Sequence, residues 1–311
     1  MIVTVTLNPA LDLTYTVDAL VPHATHRVAH VAERAGGKGL NVAGVLHALG
    51  EPVLATGLLG GATGAAVSAK ATVPHSFTTI GGETRRTVTV LDRVDATGLW
   101  EPGPVVTGEE WAAFLAHYAT LVKDAAVVVL SGSLPQGLPL DAYAELIRLA
   151  HRYRCRSVLD TSGEALRLGA AAGPDIVKPN ADELAALKSP ESQERLENPE
   201  SLESPESRDG TDRPATAAVV ESHGPEGLIA RTPQGSWRAA PPEVVTGNPT
   251  GAGDACAAAL ARGLRDGTPW PELLADAVAL AAAAVKAPVA GEIDVEHYRA
   301  TRDRVNVQPH G

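Results

Sequence analysis

Cysteine is nearly missing from this chain of 311 residues. Cys155 and Cys256 stand far apart, too few and too distant for a disulfide framework or a zinc site, so both are expected to be inert. Positive charge is also short: 26 Lys and Arg face 37 Asp and Glu, a formal net charge of −11. That balance argues against a nucleic-acid or anionic-membrane partner, which needs a basic field, but leaves room for a local basic pocket. Long apolar runs are absent too. The most apolar late stretch, residues 273–290, is broken by Asp276, Lys286 and Pro288 and reads as a buried helix pair, not a membrane span. Residues 1–7 lack the basic start and extended apolar core of a signal peptide and read as a strand. A glycosylation acceptor is missing, because Asn248 precedes Pro249. Together these absences make a reducing cytoplasm the expected location.

Two nucleotide-binding fingerprints are also lacking. Lys38 is followed by Gly39, not Ser or Thr, and Ala32 occupies the place of the first P-loop glycine. G-x-G-x-x-G occurs nowhere, since Gly251 and Gly253 are followed by Cys256, which disfavours a nicotinamide enzyme.

What is present is an alternation. Buried-type strands are expected at 3–7, 126–130, 157–160, 176–178 and 217–220, and helices at 39–49, 140–152 and 253–264. Near-continuous apolar strands between helices imply a mostly parallel sheet covered on both faces. Residues 11–17, 27–32, 86–91 and 98–100 alternate apolar with polar and predict a small antiparallel sheet, with a turn signal at Asp95-Ala-Thr-Gly98. Such a flap could cover a substrate. Residues 189–214 are foreign to this pattern: Pro-Glu-Ser recurs at 190, 199 and 205, and acids recur every third position from Glu191 to Asp209. A three-residue period fits neither helix nor strand, so a disordered acidic loop is expected.

Chemistry concentrates at glycine-rich helix starts and strand ends. In Asn248-Pro-Thr-Gly-Ala-Gly-Asp254 the glycines allow a tight turn that presents backbone N–H groups to an anion, and Asp254 can reach a hydroxyl beside it. That would bring together the two reactants of a phosphoryl transfer. An ordinary capped helix start would look the same. Gly36-Gly-Lys-Gly-Leu-Asn41 adds a cation and an amide at a second helix start, or is simply a turn with a solvated lysine. Lys178-Pro-Asn180 with Glu183 follows an apolar strand, where open α/β sheets bind ligands; Asn and Glu three apart could share a metal–water shell or form a capping box. Ser131-Gly-Ser133-Leu-Pro135 and Ser222-His-Gly224-Pro-Glu-Gly227 also fall at strand ends.

These motifs, with Asn8-Pro9, Asp12, Gly60-Gly-Ala-Thr-Gly64 and Asp160-Thr-Ser-Gly163, come in an order that resembles the ribokinase-like sugar kinases. The resemblance is to the phosphofructokinase-B group, and within it to the 1-phosphofructokinase and tagatose-6-phosphate kinase branch, over roughly residues 1–290 apart from the acidic loop. It implies a three-layer α/β fold with a mostly parallel central sheet and a small β-sheet lid. The core would be residues 1–10, 33–83 and 103–300, and the lid 11–32 and 84–102. By resemblance Asp254 is the general base and Gly251, Ala252 and Gly253 are the anion hole. Asp12, Gly37 and Asn41 match positions that hold sugar hydroxyls. Lys38 and Arg86 match cations near a sugar phosphate, and Ser133 lies near that end. Asn180 and Glu183 match residues that organise Mg²⁺ through water, and Lys178, Asn180, Ser222, Gly224 and Gly227 match the nucleotide region. Glu101-Pro-Gly-Pro104 resembles the branch's lid-to-core segment. Three departures stand out: Arg86-Thr-Val88 occupies the place of the branch's Arg-Thr-Asn, residues 189–214 replace an amphipathic crossover helix, and Cys256 is unusual in its helix. The implied activity is ATP-dependent phosphorylation of a ketohexose monophosphate, fructose 1-phosphate first. Tagatose 6-phosphate, fructose 6-phosphate and a catalytically silent sugar-phosphate-binding protein are the alternatives. Mg²⁺ is the implied cofactor, sugar phosphate and ATP the implied partners, and a homodimer through the lid is left open.

Overall fold

The computed structural model describes residues 1–187 and 218–310. The acidic segment at 189–214 lies outside the described residues. Ten strands form the large sheet, in the order β14 (Asn306–Pro309), β13 (Gly235–Ala240), β12 (Leu228–Thr232), β11 (Ala218–Ser222), β10 (Ile176–Val177), β9 (Arg156–Asp160), β8 (Val127–Ser131), β1 (Ile2–Thr6), β4 (Val53–Gly60) and β5 (Thr78–Ile80). From β11 to β5 every pairing is parallel, and β12 to β14 continue antiparallel.

The sheet is buried on both faces because its strands carry two apolar sets at a period of two. Ile2, Val127, Val129, Val158 and Ile176 face one layer, formed by α1 (Lys38–Ala48), α7 (Ala252–Asp266) and α8 (Trp270–Lys286). Val3, Val5, Val128, Leu130, Leu159 and Val177 face the other, formed by α3 (Gly108–Val122), α4 (Ala142–Arg152) and α5 (Gly163–Ala171). The remaining helices are α2 (Gly61–Lys70), α6 (Ala181–Leu187) and α9 (Val295–Arg302). None of the described helices is long and apolar enough to cross a membrane. Alanine lets α7 lie close: Ala255, Ala257, Ala258, Ala259 and Ala261 are all fully buried.

Residues 273–290 form no helix pair. One helix, α8, runs to Lys286, and Pro288 lies beyond its end. Asp276 does not break it because its carboxylate is paired, at 2.6 Å with Arg262 and at 2.5 Å with the Tyr298 hydroxyl.

The small sheet has the order β3 (His30–Gly36), β2 (Ala10–Thr16), β6 (Arg85–Leu91) and β7 (Ala96–Trp100). It is not wholly antiparallel: its central pair, β2 with β6, is parallel, and the outer pairs are antiparallel. Two boundaries differ from the sequence expectation. β3 starts three residues later and ends four residues later than the alternation at 27–32 suggests, because Ala10 to Thr16 pair with Gly36 back to His30. The β6–β7 turn is at Asp92 to Asp95, where the Asp92 carboxylate accepts from the Val94 and Asp95 N–H groups at 2.8 and 3.0 Å. An aspartate that captures its own turn in this way needs no glycine.

Candidate active site

β1, β8, β9 and β10 lie side by side in the sheet, α7 packs on β1, β8 and β9, and its first turn, at Gly253, lies beside the Lys178 ammonium just past β10. Gly251 caps α7 with φ 92°, a left-handed conformation. A β-carbon there would lie 2.8 Å from Ala290 Cα, so only glycine fits. The first N–H groups of a helix have no intrahelical acceptor. Ala252 N–H is turned back onto the Pro249 carbonyl at 3.2 Å, which leaves those of Gly251 and Gly253 without a backbone acceptor among the described residues. With the positive end of the helix dipole behind them, they form an anion site.

Asp254 follows directly and is 6 % exposed. The Asn41 carboxamide, from α1, donates to its Oδ2 at 2.8 Å. Burial, then the nearby Asp160 carboxylate, push the Asp254 carboxyl up to about 6, against the pull of Asn41, Lys38 and Lys178. A carboxylate so placed is poised to take a proton near neutral pH.

Asp160, at the end of β9, is the pivot of the site. Its Oδ1 lies 3.1 Å from Lys178 Nζ and 3.6 Å from Lys38 Nζ, and its Oδ2 accepts from Ser131 Oγ at 3.2 Å. Burial opposes the ionised carboxylate, but the two lysines and these bonds outweigh it and hold Asp160 below its usual range. Lys178 is likewise buried, which works against its charge, yet Asp160 holds it firmly protonated. The Lys178 ammonium lies beside Gly253, and Lys38 stays half exposed at the first turn of α1. Lys38 therefore sits with Lys178 and the helix start. In the sequence Asp160 is set apart only as the first residue of Asp160-Thr-Ser-Gly163. Its signal was a charged residue that ends an apolar strand.

Asp12, on β2, pairs with Arg34 at 2.9 Å and accepts from the Thr87 hydroxyl. Gly36 packs against this strand so closely that a β-carbon on it would overlap the Asp12 carboxylate, and Gly37 packs instead against Thr6 and Pro9. The Asp12–Thr87 bond also fixes the faces of β6. Thr87 and Arg85 share the Asp12 face, and Arg86 is on the opposite one. Arg85 donates to the Asn8 and Glu101 carbonyls at 3.2 and 3.3 Å, and Asn8 donates to Ser133 Oγ at 3.1 Å. Arg86 is exposed and forks onto the Glu101 carboxylate at 2.8 and 3.1 Å. Hydrogen bonds and ion pairs thus link Asp254 to Asn41 and, through Arg34, to Asp12, join Lys38 to Asp160, and connect Ser133 through Asn8 to Arg85, whereas Arg86 lies on the opposite face of β6. Arg85, not singled out from sequence, takes its place on the inward face.

Asn180 and Glu183 form a reciprocal cap on α6: Asn180 N–H donates to Glu183 Oε2 at 2.9 Å and Glu183 N–H to Asn180 Oδ1 at 2.8 Å. Ser222 N–H donates to the Pro179 carbonyl at 3.0 Å, so the loop of Ser222, Gly224 and Gly227 adjoins the end of β10. Gly224 has open space where a side chain would be, whereas Gly227 is closed by the Ala239 carbonyl. Cys256 is buried in α7, which pushes its thiol up to about 12 and keeps it unreactive.

The chain is similar to known proteins in sequence and fold. The family model described as pfkB family carbohydrate kinase matches residues 5–296. Phosphofructokinase-2 from Escherichia coli in complex with fructose-6-phosphate superposes with a TM-score of 0.82 at 26% identity, over 97% of this chain and 98% of that one. The same enzyme has been solved in a tetrameric inhibited form. A protein described as a possible 1-phosphofructokinase from Thermotoga maritima gives 0.82 at 26% identity, over 100% and 99%. Ribokinase from Arabidopsis thaliana, complexed with ribose and ATP, gives 0.66 at 19% identity over 96% and 97%, a likeness of fold.

Proposed function

The chain belongs to the pfkB family of carbohydrate kinases and is an ATP-dependent kinase; on that premise we propose that it phosphorylates a ketohexose monophosphate, fructose 1-phosphate before fructose 6-phosphate or tagatose 6-phosphate. The observation that carries this reading is the buried Asp254 carboxylate at the anion-binding start of α7, with Asn41 on one side and the Lys38–Asp160–Lys178 chain on the other.

Asp254 accepts the proton of the attacking hydroxyl. The N–H groups of Gly251 and Gly253, with Lys178 and Lys38, take up the charge of the transferring phosphoryl group. Asp12, Gly37 and Asn41 hold sugar hydroxyls. Arg85, beside Asn8 and Ser133, meets the phosphate already on the sugar, because a dianion is matched by a guanidinium better than any hydroxyl is. ATP lies along Lys178, Asn180, Ser222, Gly224 and Gly227.

A divalent cation fits this site only through water. Among the described residues no three His, Cys, Asp or Glu side chains converge. Asn180 and Glu183 each spend one oxygen on the α6 cap. Mg²⁺, which keeps several waters and shares substrate phosphates, suits such a pair, and when bound it neutralises charge on the nucleotide phosphates. We further propose that two copies pair through the lid, whose Leu99 and Trp100 are 60 % and 78 % exposed.

The test is an ADP-release screen of the purified protein over about ten free and phosphorylated sugars. Turnover confined to ketohexose phosphates is expected, and equal turnover of free sugars would move the chain to a free-sugar branch.

A further inference from the structure

Arg34, on the lid strand β3, was singled out by neither its sequence context nor the proposed reaction. It reaches three separate elements. Nη2 pairs with Asp12 Oδ2 at 2.9 Å, and Nη1 donates both to the Ala290 carbonyl and, at 3.3 Å, to Asn41 Oδ1. The last contact decides how Asn41 is turned. A guanidinium can only donate, so the Asn41 atom that meets it must be the carbonyl oxygen. The NH₂ group then has to point the other way, to Asp254 Oδ2 at 2.8 Å.

We propose that Arg34 is a positioning residue that locks the Asn41 carboxamide with its NH₂ group toward Asp254, so that closure of the lid strand sets the catalytic carboxylate to accept a proton. This rests on the reading of Asp254 as the general base.

The groups that face Asp254 show why the lock matters. Asp160 opposes its ionised form, as does burial, while Lys178, Lys38 and Asn41 favour it; buried Cys256 is neutral. Of the favourable groups only Asn41 can reverse its sign by a simple rotation. A flipped amide would turn its oxygen to Asp254, remove a donor and favour the protonated acid. The surroundings of Arg34 reinforce the coupling. A β-carbon at Gly291 would lie 3.1 Å from Asn41 Cα, and one at Gly251 would lie 2.8 Å from Ala290 Cα. The Ala290–Gly291 turn that Arg34 grips thus also braces the cap of α7. Of the charged neighbours, Lys70 pairs with Glu33 at 3.1 Å, and Glu292 lines a 120 Å³ cavity together with Arg34 and Asn41.

The experiment compares the pH dependence of kcat for the full-length wild type, Arg34→Met and Arg34→Lys, with Asp254→Asn as reference. Arg34→Met should move the acidic limb of kcat upward by about half to one pH unit, the size of one lost hydrogen bond to a carboxylate. Its deficit at pH 6 should then exceed its deficit at pH 8.5 roughly two- to fivefold. Arg34→Lys, which keeps a donor for Asn41 Oδ1, should return the limb toward the wild type. KM for the sugar should rise in Arg34→Met equally at every pH, through the lost Asp12 contact. Should Arg34→Met fold poorly, Arg34→Gln carries the same expectation. A limb that stays in place while activity falls uniformly overturns the lock and leaves a purely structural arginine. If Asp254→Asn itself turns over at the wild-type rate, the base assignment fails instead, and the two failures are thereby distinguished.

Discussion

At the scale of single residues, the account turns on one buried acid. Asp254→Asn should keep the fold and nucleotide binding yet lose about 10²–10⁴ in kcat, the span of a positioned general base. Wild-type kcat should fall below pH 6, as the carboxyl at about 6 takes up its proton. The same group affects stability with a fixed sign. Its folded value lies above the ordinary 3.8, so the folded state binds the extra proton between about pH 4 and 6. Stability therefore falls as pH rises through that window, by at most about 3 kcal/mol, and remains lowered above it. Asp254→Asn should accordingly melt higher than wild type at pH 8 and equally at pH 4, as scanning calorimetry can show. Asp254 and Asn41 were legible in the sequence because glycines at 36, 37, 251 and 253 announce helix starts that a ligand can approach. Arg85 and Arg86 were not separable there. Adjacent residues of a strand point to opposite faces, and only the pairing of β6 with β2 says which arginine turns inward. Arg34 was hidden for a related reason, since its three partners lie 22, 7 and 256 positions away.

At the scale of elements, the proposed function places the chemistry at the start of α7, and α8 is tied to its other end. Arg262 of α7 is bound to Asp276 of α8 and to the Tyr298 hydroxyl of α9, at 2.6 and 2.8 Å. Removal of one member of a buried pair leaves the other without compensation. Asp276→Ala should cost about 2–4 kcal/mol in urea unfolding. kcat per folded molecule should stay unchanged, since this network lies at the far end of α7 from Asp254. The start of α7 should respond in the opposite way. Gly251→Ala has to leave φ 92° or push against Ala290, so kcat should fall at least tenfold with a smaller loss of stability. The five core strands and three helices expected from the sequence lie within a residue or two of the observed ones, because their apolar periods agree with their burial. The lid edges were not, because half-polar strands take their ends from their partners: β3 follows β2, and the β6–β7 turn follows the Asp92 side chain. Of the two readings expected for Asn180 and Glu183, the geometry gives the cap, and the water-mediated metal site is the proposal.

At the scale of the whole molecule, the proposed function makes the small sheet the element that would join substrate choice to assembly. One face of it carries Asp12, Thr87 and Arg85 toward the site, and its outer edge exposes Leu99 and Trp100. If two copies pair through that edge, Trp100→Glu should shift the sedimenting species from dimer to monomer; an unchanged dimer would place the contact elsewhere. The three-layer architecture was legible from strand–helix alternation alone, but the parallel centre of the lid sheet was not, since the sense of pairing leaves no mark on a short alternating strand. The central claim is that an inward arginine selects a phosphorylated ketohexose for the Asp254 site. It is tested most directly by the ratio of kcat/KM for fructose 1-phosphate over fructose, at saturating ATP and Mg²⁺, in the wild type, Arg85→Ala and Arg86→Ala. The account predicts a ratio of at least about 10² in the wild type, equivalent to about 2.7 kcal/mol, which collapses in Arg85→Ala and largely survives in Arg86→Ala. A wild-type ratio near one, or an Arg85→Ala enzyme that still discriminates fully, would contradict it.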